Sequence, residues 1–289
     1  MALLTTVLVA MGLAVAVTPS ASAASPCDTA PNWQQGAWYT AGNVVRYQGA
    51  YYIAEHDNPG YSPTISTWYW DPYNCGGGGN PQPGGFVVSE AQFNQMFPSR
   101  NSFYTYNGLT AALSAYPGFA KTGSDTVRKQ EAAAFLANVS HETGGLVHIV
   151  EQNTANYPHY CDWSQPYGCP AGQAAYYGKG PIQLSWNFNY KAAGDALGID
   201  LLNNPWLVQN DAAVAWKTGL WYWNTQSGPG SMTGHNAMVN GAGFGHTIRS
   251  INGSLECDGK NPAQVQSRVT KYQQFAQILG VPTGANLYC

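Results

Sequence analysis

Two glutamates offer the clearest chemistry in this sequence. Glu142 ends the helix-forming run "TVRKQEAAAFLANVSHE", and Glu151 follows nine residues later in "IVEQN", beyond a pair of glycines. A carboxyl at the buried end of a helix lies near the negative end of the helix dipole, and both effects favour its neutral form. The more solvated Glu151 is expected to stay ionised. One neutral and one charged carboxyl across a groove can cleave a glycosidic bond by general acid and general base catalysis.

The helix that carries Glu142 is predicted from its periodicity. Phe135, Val139 and Glu142 are spaced i, i+4 and i+7, so they share one face, which we expect to turn inward. Gly144 or Gly145 is expected to end this helix in a left-handed cap. The alternative for Glu142 is an ordinary structural role, in which the carboxylate caps the helix or forms a salt bridge.

Most of the chain beyond residue 85 has helical patterns as well. Ser89 opens the amphipathic turn "SEAQFNQMFP", and two further helix-forming runs are "DAAVAWKTGLWYWNT" and "QVQSRVTKYQQFAQILG". Loops rich in Gly and Asn separate these runs, and the chain has no alternating series of strand and helix patterns. The sequence therefore predicts a mainly α-helical unit over residues 86–289.

The dipeptide at 141–142 invites comparison with the zinc motif H-E-x-x-H. Position 145 is Gly145, so the second histidine ligand is missing, and His148 lies beyond the glycine break. The cysteines contain no C-x-x-C spacing, which argues against a zinc cluster. We therefore expect neither a metal nor an organic cofactor.

The N-terminal segment "MALLTTVLVAMGLAVAVTPSASAASP" is an apolar run followed by small residues, with an A-x-A pattern at 21–23. This pattern is typical of a secretory signal peptide over residues 1–23, cut near Ala23, and it predicts a secreted, extracellular protein. A membrane anchor is the alternative. The apolar run is short and rich in Ala and Thr for that role, so we expect no membrane partner.

Six cysteines in a secreted chain predict three disulfides. Other pairings remain open, but the spacing favours local pairs: Cys27 with Cys75, Cys161 with Cys169, and Cys257 with Cys289.

The charge balance narrows the class of ligand. The net charge is −3 and the Lys and Arg residues form no basic stripe, so we expect no nucleic-acid partner. Aromatic residues make up 13% of the chain and amide side chains are frequent. Aromatic faces and amides suit a neutral, hydroxyl-rich ligand such as a sugar.

A linker divides the chain into two units. Residues 76–85 read "GGGGNPQPGG", where Gly supplies flexibility and Pro supplies reach. The preceding unit, residues 24–75, has short alternating runs such as "NVVRYQGAYYIAE", which predict an antiparallel β fold. So small a unit buries little core, and a disulfide between its ends would stabilise it.

The two glutamates lie within longer motifs that carry a family resemblance. "SHETGG", "YYGKGPIQLSWNFNY", "LLNNPWLV" and "INGSLEC" resemble the family 19 chitinases, especially the short-loop bacterial type, across essentially all of residues 86–289. The resemblance implies a mainly α-helical fold related to lysozyme and hydrolysis with inversion at the anomeric carbon. By matching position, it implies that Glu142 is the general acid, Glu151 the general base and Ser185 a residue that holds the attacking water.

The same resemblance implies a set of residues that bind substrate, surround the acid or line the cleft: Gln183, Asn189, Asn252, Glu256, Arg268, His141 and Tyr176. The first two match residues that bond sugar hydroxyl or acetamido groups, and Asn252 matches a substrate-positioning asparagine. Glu256 and Arg268 match a charged network around the acid. The alternative for the amides is that they satisfy loop backbone groups, and the alternative for Ser185 is a helix cap before Trp186.

The small unit carries a resemblance of its own. "W…Y..GNVVRYQGAYYIA…W" resembles the small chitin-binding modules of carbohydrate-binding families 5 and 12, over most of residues 27–75. Many such modules have two adjacent Trp after the "Y-x-A" strand, where this chain has residues 55–57, "EHD". The candidate binding aromatics are therefore Tyr61, Trp68, Tyr69 and Trp70, and one of the "WYW" set is expected in the core.

Together these features predict a secreted, monomeric, endo-acting chitinase that cleaves β-1,4 links between N-acetylglucosamine units with inversion. The enzyme alternative is a muramidase that attacks peptidoglycan, and the non-enzyme alternative is a chitin-binding lectin. Chitosan is a further candidate substrate, although a pocket for the acetamido group would disfavour it.

Overall fold

A computed structural model describes residues 27, 29–54, 56–64, 69–73 and 86–289. The predicted signal peptide, the linker, Trp68 and Cys75 lie outside the described residues. In the described ranges, no helix has the length and apolar character needed to cross a membrane.

The larger unit is mainly α-helical, as predicted. Its α-helices are α1 (Glu90–Met96), α2 (Tyr106–Ala112), α3 (Asp125–Thr143), α4 (Asn187–Leu197), α5 (Leu207–Asn210), α6 (Ala212–Thr225), α7 (Gly234–Val239), α8 (Phe244–Glu256) and α9 (Pro262–Ile278). Short 3-10 helices span Leu113–Ala115, Thr154–Tyr160 and Gln173–Ala175. The four helical runs identified in the sequence correspond to α1, α3, α6 and α9, whereas α2, α4, α5, α7 and α8 were not predicted.

Helix α3 is the centre of the larger unit. Every residue from 131 to 140 is buried, and the helix packs against α7, α8 and α9. The face of Phe135 and Val139 does turn inward, as predicted. The other faces of this stretch are buried as well, because the helix is enclosed on all sides. The ring of Phe135 lies 5.5 Å from Trp223 and 6.3 Å from Trp216, so aromatic contacts from α6 hold α3 in place.

Local capping sets the ends of these helices. Ser89 forms a capping box with Gln92 at the start of α1, and the Ser124 side chain accepts from Val127 N at the start of α3. Gly144 ends α3 in the left-handed conformation, with φ of 62°. A side chain is strained in this conformation, so glycine lets the chain turn sharply just after Glu142.

The smaller unit contains an antiparallel sheet in the order β1 (Val44–Tyr47), β2 (Ala50–Ala54), β3 (Trp70–Tyr73). The β1–β2 turn places Gln48 and Gly49 at φ of 49° and 82°, the positive angles that a tight hairpin turn requires. The antiparallel β fold predicted for this segment is present.

Two of the three predicted disulfides are present among the described residues. One joins Cys161 to Cys169, and the other joins Cys257 to Cys289. The predicted pairing of Cys27 with Cys75 involves a residue outside the described ranges.

Candidate active site

Three helices bring Glu142 into contact with a buried arginine. Arg268 on α9 donates from Nη2 to Oε1 of Glu142, in the last turn of α3. The same guanidinium donates from Nε and Nη2 to the two carboxylate oxygens of Glu256 on α8, at 2.8 and 2.7 Å. Its Nη1 donates to Asn138 Oδ1 at 3.1 Å. We call Asn138, Glu142, Asn252, Glu256 and Arg268 the arginine cluster.

The charges of the arginine cluster do not balance when both carboxyls are ionised. Burial raises the pKa of Glu256, but hydrogen bonds from Arg268 and its charge outweigh burial and lower that pKa overall. Burial likewise opposes the charge of Arg268, yet its two carboxylate partners raise its pKa. The Arg268–Glu256 pair is therefore already neutral, so an ionised Glu142 leaves the cluster with one excess negative charge. Glu142 is salt-bridged to Arg268, as the structural alternative proposed.

Glu256 and Arg268 form a charged network around Glu142, as the resemblance implied. Arg268 is 1% exposed and Glu256 is 3% exposed, because both are enclosed where α3, α8 and α9 meet. They position Glu142. Asn252 donates from Nδ2 to Oε1 of Glu256 at 2.8 Å, and its φ of −145° breaks the helical geometry of α8 at that point.

Two further side chains lie at the edge of the arginine cluster. His141 is half-buried, and its Nδ1 is 3.0 Å from Ser267 Oγ. Burial and the charge of Arg268 lower the pKa of His141, so the imidazole favours its neutral form. Tyr222 on α6 was not predicted. Burial, with a further contribution from the charge of Glu142, raises the pKa of Tyr222 to about 12. Tyr222 lies inside an apolar helical run, so its sequence position did not indicate a place near the site.

Glu151 is held by a different set of donors. Asn156 Nδ2 and Tyr160 OH donate to Oε1 at 2.7 and 3.0 Å. The other oxygen, Oε2, has only a long contact with Gly178 N at 3.5 Å among the described residues. The carboxylate is thus oriented through one oxygen, while Oε2 is left able to accept a proton. The sequence analysis missed Asn156 and Tyr160. They lie five and nine residues after Glu151, and this closeness in sequence was the feature that could have indicated a contact.

The backbone next to Glu151 belongs to a tight hairpin over residues 178–185, which we call the 178–185 hairpin. Glu151 N donates to Gly178 O at 2.9 Å, and Val150 and Leu184 each form a bridge with Lys179. A Cβ on Gly178 would lie 2.9 Å from Gln183 Oε1 and 3.4 Å from Ser185 Oγ. Glycine at 178 therefore lets these two predicted site residues approach the strand that pairs with Glu151.

The predicted polar residues of this hairpin bond mainly to backbone. Ser185 Oγ donates to Gln183 O at 2.9 Å, and Gln183 Nε2 donates to Gly180 O at 3.0 Å. Asn189 Nδ2 donates to Ser185 O at 2.9 Å. Helix α4 has no side-chain cap, so the capping alternative for Ser185 was wrong. The amides of Gln183 and Asn189 do satisfy loop carbonyls, which was the alternative to a role in binding sugar. The side chains of Gln183, Ser185 and Asn189 are all half-buried.

Tyr176 was predicted to line the cleft, and that prediction was wrong. The side chain is 0% exposed. Its hydroxyl donates to Leu202 O at 2.8 Å and accepts from Ala171 N at 3.1 Å. Because both hydrogen-bonding functions are satisfied inside the core, Tyr176 is a packing residue and has no surface to offer a sugar.

The two glutamates lie on separate parts of the fold despite their short separation in sequence. The chain leaves α3 at Gly144 and reaches the 178–185 hairpin where Val150 pairs with Lys179. Nine residues thus carry the chain from a cluster of three helices to a hairpin, and each carboxyl has its own donors.

The aromatic residues proposed for sugar binding in the small unit divide into core and surface. Trp70 is 1% exposed and donates from Nε1 to Tyr61 O at 2.7 Å, so it is the core member of the "WYW" set and not a binding residue. Tyr61 is 52% exposed, and its ring centroid lies 5.1 Å from that of the half-buried Tyr69. Trp38, at 66% exposed, was missed. Trp68 lies outside the described residues.

Comparisons with known proteins agree with this architecture. The glycosyl hydrolase family 19 profile, described as "Chitinase class I", matches residues 87–289. The crystal structure of a bacterial family 19 chitinase is 83% identical with a TM-score of 0.70, and the match covers 71% of this chain and 100% of that one. Chitinase C from Streptomyces griseus HUT6037 is 78% identical with a TM-score of 0.71, covering 73% of this chain and 100% of that one. Endochitinase A of Zea mays is 45% identical over 210 residues, which cover 70% of this chain and 71% of the relative.

The fold and the comparisons define the larger unit as a helical, lysozyme-like glycoside hydrolase. The chain belongs to glycoside hydrolase family 19, the chitinase family indicated by its sequence motifs.

Proposed function

We propose that this protein is a secreted, endo-acting chitinase that hydrolyses β-1,4 links between N-acetylglucosamine units and inverts the anomeric centre. The single observation that carries the proposal is the arrangement of its two carboxyls. Glu142 is hydrogen-bonded to the buried Arg268 at the end of α3, and Glu151 is oriented through Oε1 by two donors while Oε2 has only a long contact among the described residues.

Glu142 is the general acid in this proposal. Its proton passes to the glycosidic oxygen as the bond from that oxygen to the anomeric carbon breaks, and Glu142 becomes a carboxylate. Arg268 already donates to Oε1 of Glu142, so it stabilises the negative charge that develops there in the transition state. Glu256 holds Arg268 in place through two hydrogen bonds.

Glu151 is the general base. A water attacks the anomeric carbon from the face opposite the leaving oxygen, and one of its protons passes to Oε2 of Glu151. A single displacement inverts the centre, and it requires about 6.5–9.5 Å between the carboxyls so that the water fits. Ser185, beside Gly178, is proposed to hold that water, and Gln183, Asn189 and Asn252 are proposed to bond the sugar.

The small unit is proposed to bind insoluble chitin, as the resemblance to chitin-binding modules implies. The exposed Tyr61, with the adjacent ring of Tyr69, is the aromatic surface that the described residues offer. We place the signal peptide at 1–23, this module at 24–75, the linker at 76–85 and the catalytic unit at 86–289. The match of whole bacterial chitinase chains to about that last range supports the boundary.

The proposal is tested by comparing the wild type with Glu142→Gln and Glu151→Gln on soluble chitohexaose. Each variant is expected to lose at least ~10²-fold in kcat, since general acid or base help is worth about that much or more. Glu90→Gln, in the exposed first turn of α1, is the matched control and should keep the wild-type rate. A Glu142 or Glu151 variant with wild-type kcat would remove that residue from its proposed role.

The same proteins tested on bacterial cell walls address the muramidase alternative. Chitohexaose cleavage without wall lysis supports the chitinase proposal. Wall lysis with intact chitohexaose would favour the muramidase, and binding to chitin without either activity would favour the lectin.

A further inference from the structure

Lys179 is fully buried without a carboxylate partner among the described residues. The side chain is 0% exposed, and none of the ion pairs in that part of the chain includes it. Its Nζ donates to Ala175 O at 2.5 Å, to Tyr190 OH at 3.0 Å and to Tyr177 O at 3.3 Å. The ammonium also lies 3.4 Å from the centroid of the Tyr177 ring. All three donors of the ammonium are therefore in use.

Burying the charged side chain of Lys179 without a carboxylate partner is unfavourable. A lysine is almost never fully buried without a charge partner, and desolvation lowers the pKa of Lys179 to about 7. An unbranched apolar side chain of similar length would fill the same space without that penalty. Packing alone therefore does not explain why an ammonium lies at this position.

The groups that Lys179 holds are those that support Glu151. Its carbonyl partners, at 175 and 177, lie in the segment that leads into Gly178, and Gly178 O accepts from Glu151 N at 2.9 Å. The backbone of Lys179 also pairs with Leu184, through hydrogen bonds of 3.2 and 2.9 Å that close the 178–185 hairpin. Lys179 thus joins two parts of the site: its side chain bonds the segment that supports Glu151, and its backbone closes the hairpin that carries Ser185.

Tyr190 extends this arrangement to a helix. Its hydroxyl accepts from Lys179 and donates to Tyr177 O at 2.9 Å, which connects α4 to the same segment. Burial raises the pKa of Tyr176, Tyr177 and Tyr190, so the phenols around Lys179 are neutral near pH 7. The side chain of Glu151 lies beyond Gly178, where Gly178 N contacts its Oε2 at 3.5 Å.

We propose that Lys179 is a positioning residue for Glu151: its ammonium fixes the backbone at 175–178, and this backbone sets the orientation of the Glu151 carboxylate toward water. This inference rests on the proposed role of Glu151 as the general base. Lys179 does not touch the substrate or the water itself, so its effect passes through Glu151.

A double-mutant cycle on chitohexaose tests this inference at pH 6, where the ammonium is charged. The four proteins are the wild type, Lys179→Met, Glu151→Gln and the double variant. Lys179→Met is expected to lower kcat about tenfold or more while KM changes less than about threefold, since a misoriented base slows the chemical step. In the Glu151→Gln background, the same substitution should lower kcat by less than about threefold, because coupled residues are non-additive.

Lys191→Met is the matched control. Lys191 is an exposed lysine on α4 that pairs with Asp195, and its substitution should leave kcat unchanged in both backgrounds. If Lys179→Met does not fold by circular dichroism, Tyr190→Phe replaces it in the cycle, because this variant removes one of the three acceptors while keeping the ring.

Two results would overturn the inference. One is a kcat for Lys179→Met within about twofold of the wild type, and the other is an equal fractional loss with and without the Glu151 carboxylate, as a merely structural role would give. Failure of the proposed function is separately visible, because it would appear as wild-type activity in the Glu151→Gln single variant.

Discussion

Arg268 on α9 donates a hydrogen bond to Oε1 of Glu142 on α3, across 126 residues of sequence. The contact joins the C-terminal part of the chain to a carboxyl at the end of the central helix. Arg268 reaches Glu142 with the same Nη2 that bonds Glu256. One guanidinium nitrogen therefore serves both carboxyls, and Glu256 helps to hold Arg268 against Glu142.

Glu256→Gln is expected to slow catalysis. The substitution removes a carboxylate that accepts two hydrogen bonds from Arg268, so the guanidinium that contacts Glu142 is held less firmly. The kcat on chitohexaose should fall about tenfold or more, whereas Asp258→Asn, which removes an exposed carboxylate paired with Arg249, should keep the wild-type kcat. A wild-type kcat in Glu256→Gln, in a protein that remains folded, would contradict the positioning role of this carboxylate.

Ser185→Ala is expected to have a milder effect than Glu151→Gln. The Ser185 hydroxyl is already bonded to Gln183 O, and an attacking water would keep its contact with Glu151. We expect kcat to fall about tenfold, against ~10²-fold or more for the loss of the base. Steady-state kinetics on chitohexaose measure both. A loss in Ser185→Ala equal to that in Glu151→Gln would show that the hydroxyl takes a larger part in activating the water.

A buried His–Glu pair far from this chemistry should make stability depend on pH. His235 Nδ1 lies 2.7 Å from Oε1 of Glu131. Trp223 Nε1 donates to the same oxygen, and Ala120 N donates to Oε2. The hydrogen bond with Glu131 outweighs burial and raises the pKa of His235. Protonation thus stabilises the fold fully below the unfolded pKa of about 6.5, and this contribution is lost as the pH rises through the folded pKa.

The Tm of the wild type should therefore exceed that of His235→Gln by more at pH 5.5 than at pH 8.5. A Tm difference between the two proteins that increases with pH would contradict the predicted direction. Activity on chitohexaose at 25 °C should change little in His235→Gln, since the proposed reaction does not involve the pair.

Deleting the small unit should separate activity on soluble and insoluble substrate. Residues 86–289 alone should cleave chitohexaose within about twofold of the full chain. Activity on insoluble chitin should fall several-fold, because a tethered module raises the effective concentration of the enzyme at the surface. Tyr61→Ala should weaken chitin binding without unfolding the module, whereas Trp70→Ala removes a core side chain and should unfold it. Equal losses on both substrates after the deletion would place the small unit inside the catalytic fold.

The helical fold could be predicted where local signals were strong. Ser89 marks a helix start through its side-chain hydrogen bond, and Gly144 marks a helix end through its left-handed conformation. Those signals can be read from a few neighbouring residues. Helices α2, α5 and α7 were missed because segments of four to seven residues carry little periodicity. Helices α4 and α8 are longer, and α8 is amphipathic, so their patterns were present in the sequence but were not identified. The periodicity of α3 indicated its inward face, but the burial of its other faces depends on helices distant in sequence.

The candidate site could be predicted in part from the sequence motifs. The motif matches identified both glutamates and the residues of the 178–185 hairpin. They could not show that Arg268, Glu256 and Tyr176 are buried, since burial depends on long-range packing. The support of Glu151 by Asn156, Tyr160 and the segment around Lys179 likewise appears only once the chain is folded.

The most direct test of the proposed mechanism is the anomeric form of the first products from chitohexaose, followed by proton NMR before mutarotation. An inverting reaction, with Glu142 as acid and Glu151 as base, predicts that the β-linked substrate first yields the α-anomer. A β-anomer in the earliest spectra would mean that the configuration is retained, and would contradict the role of Glu151 as a base acting on water.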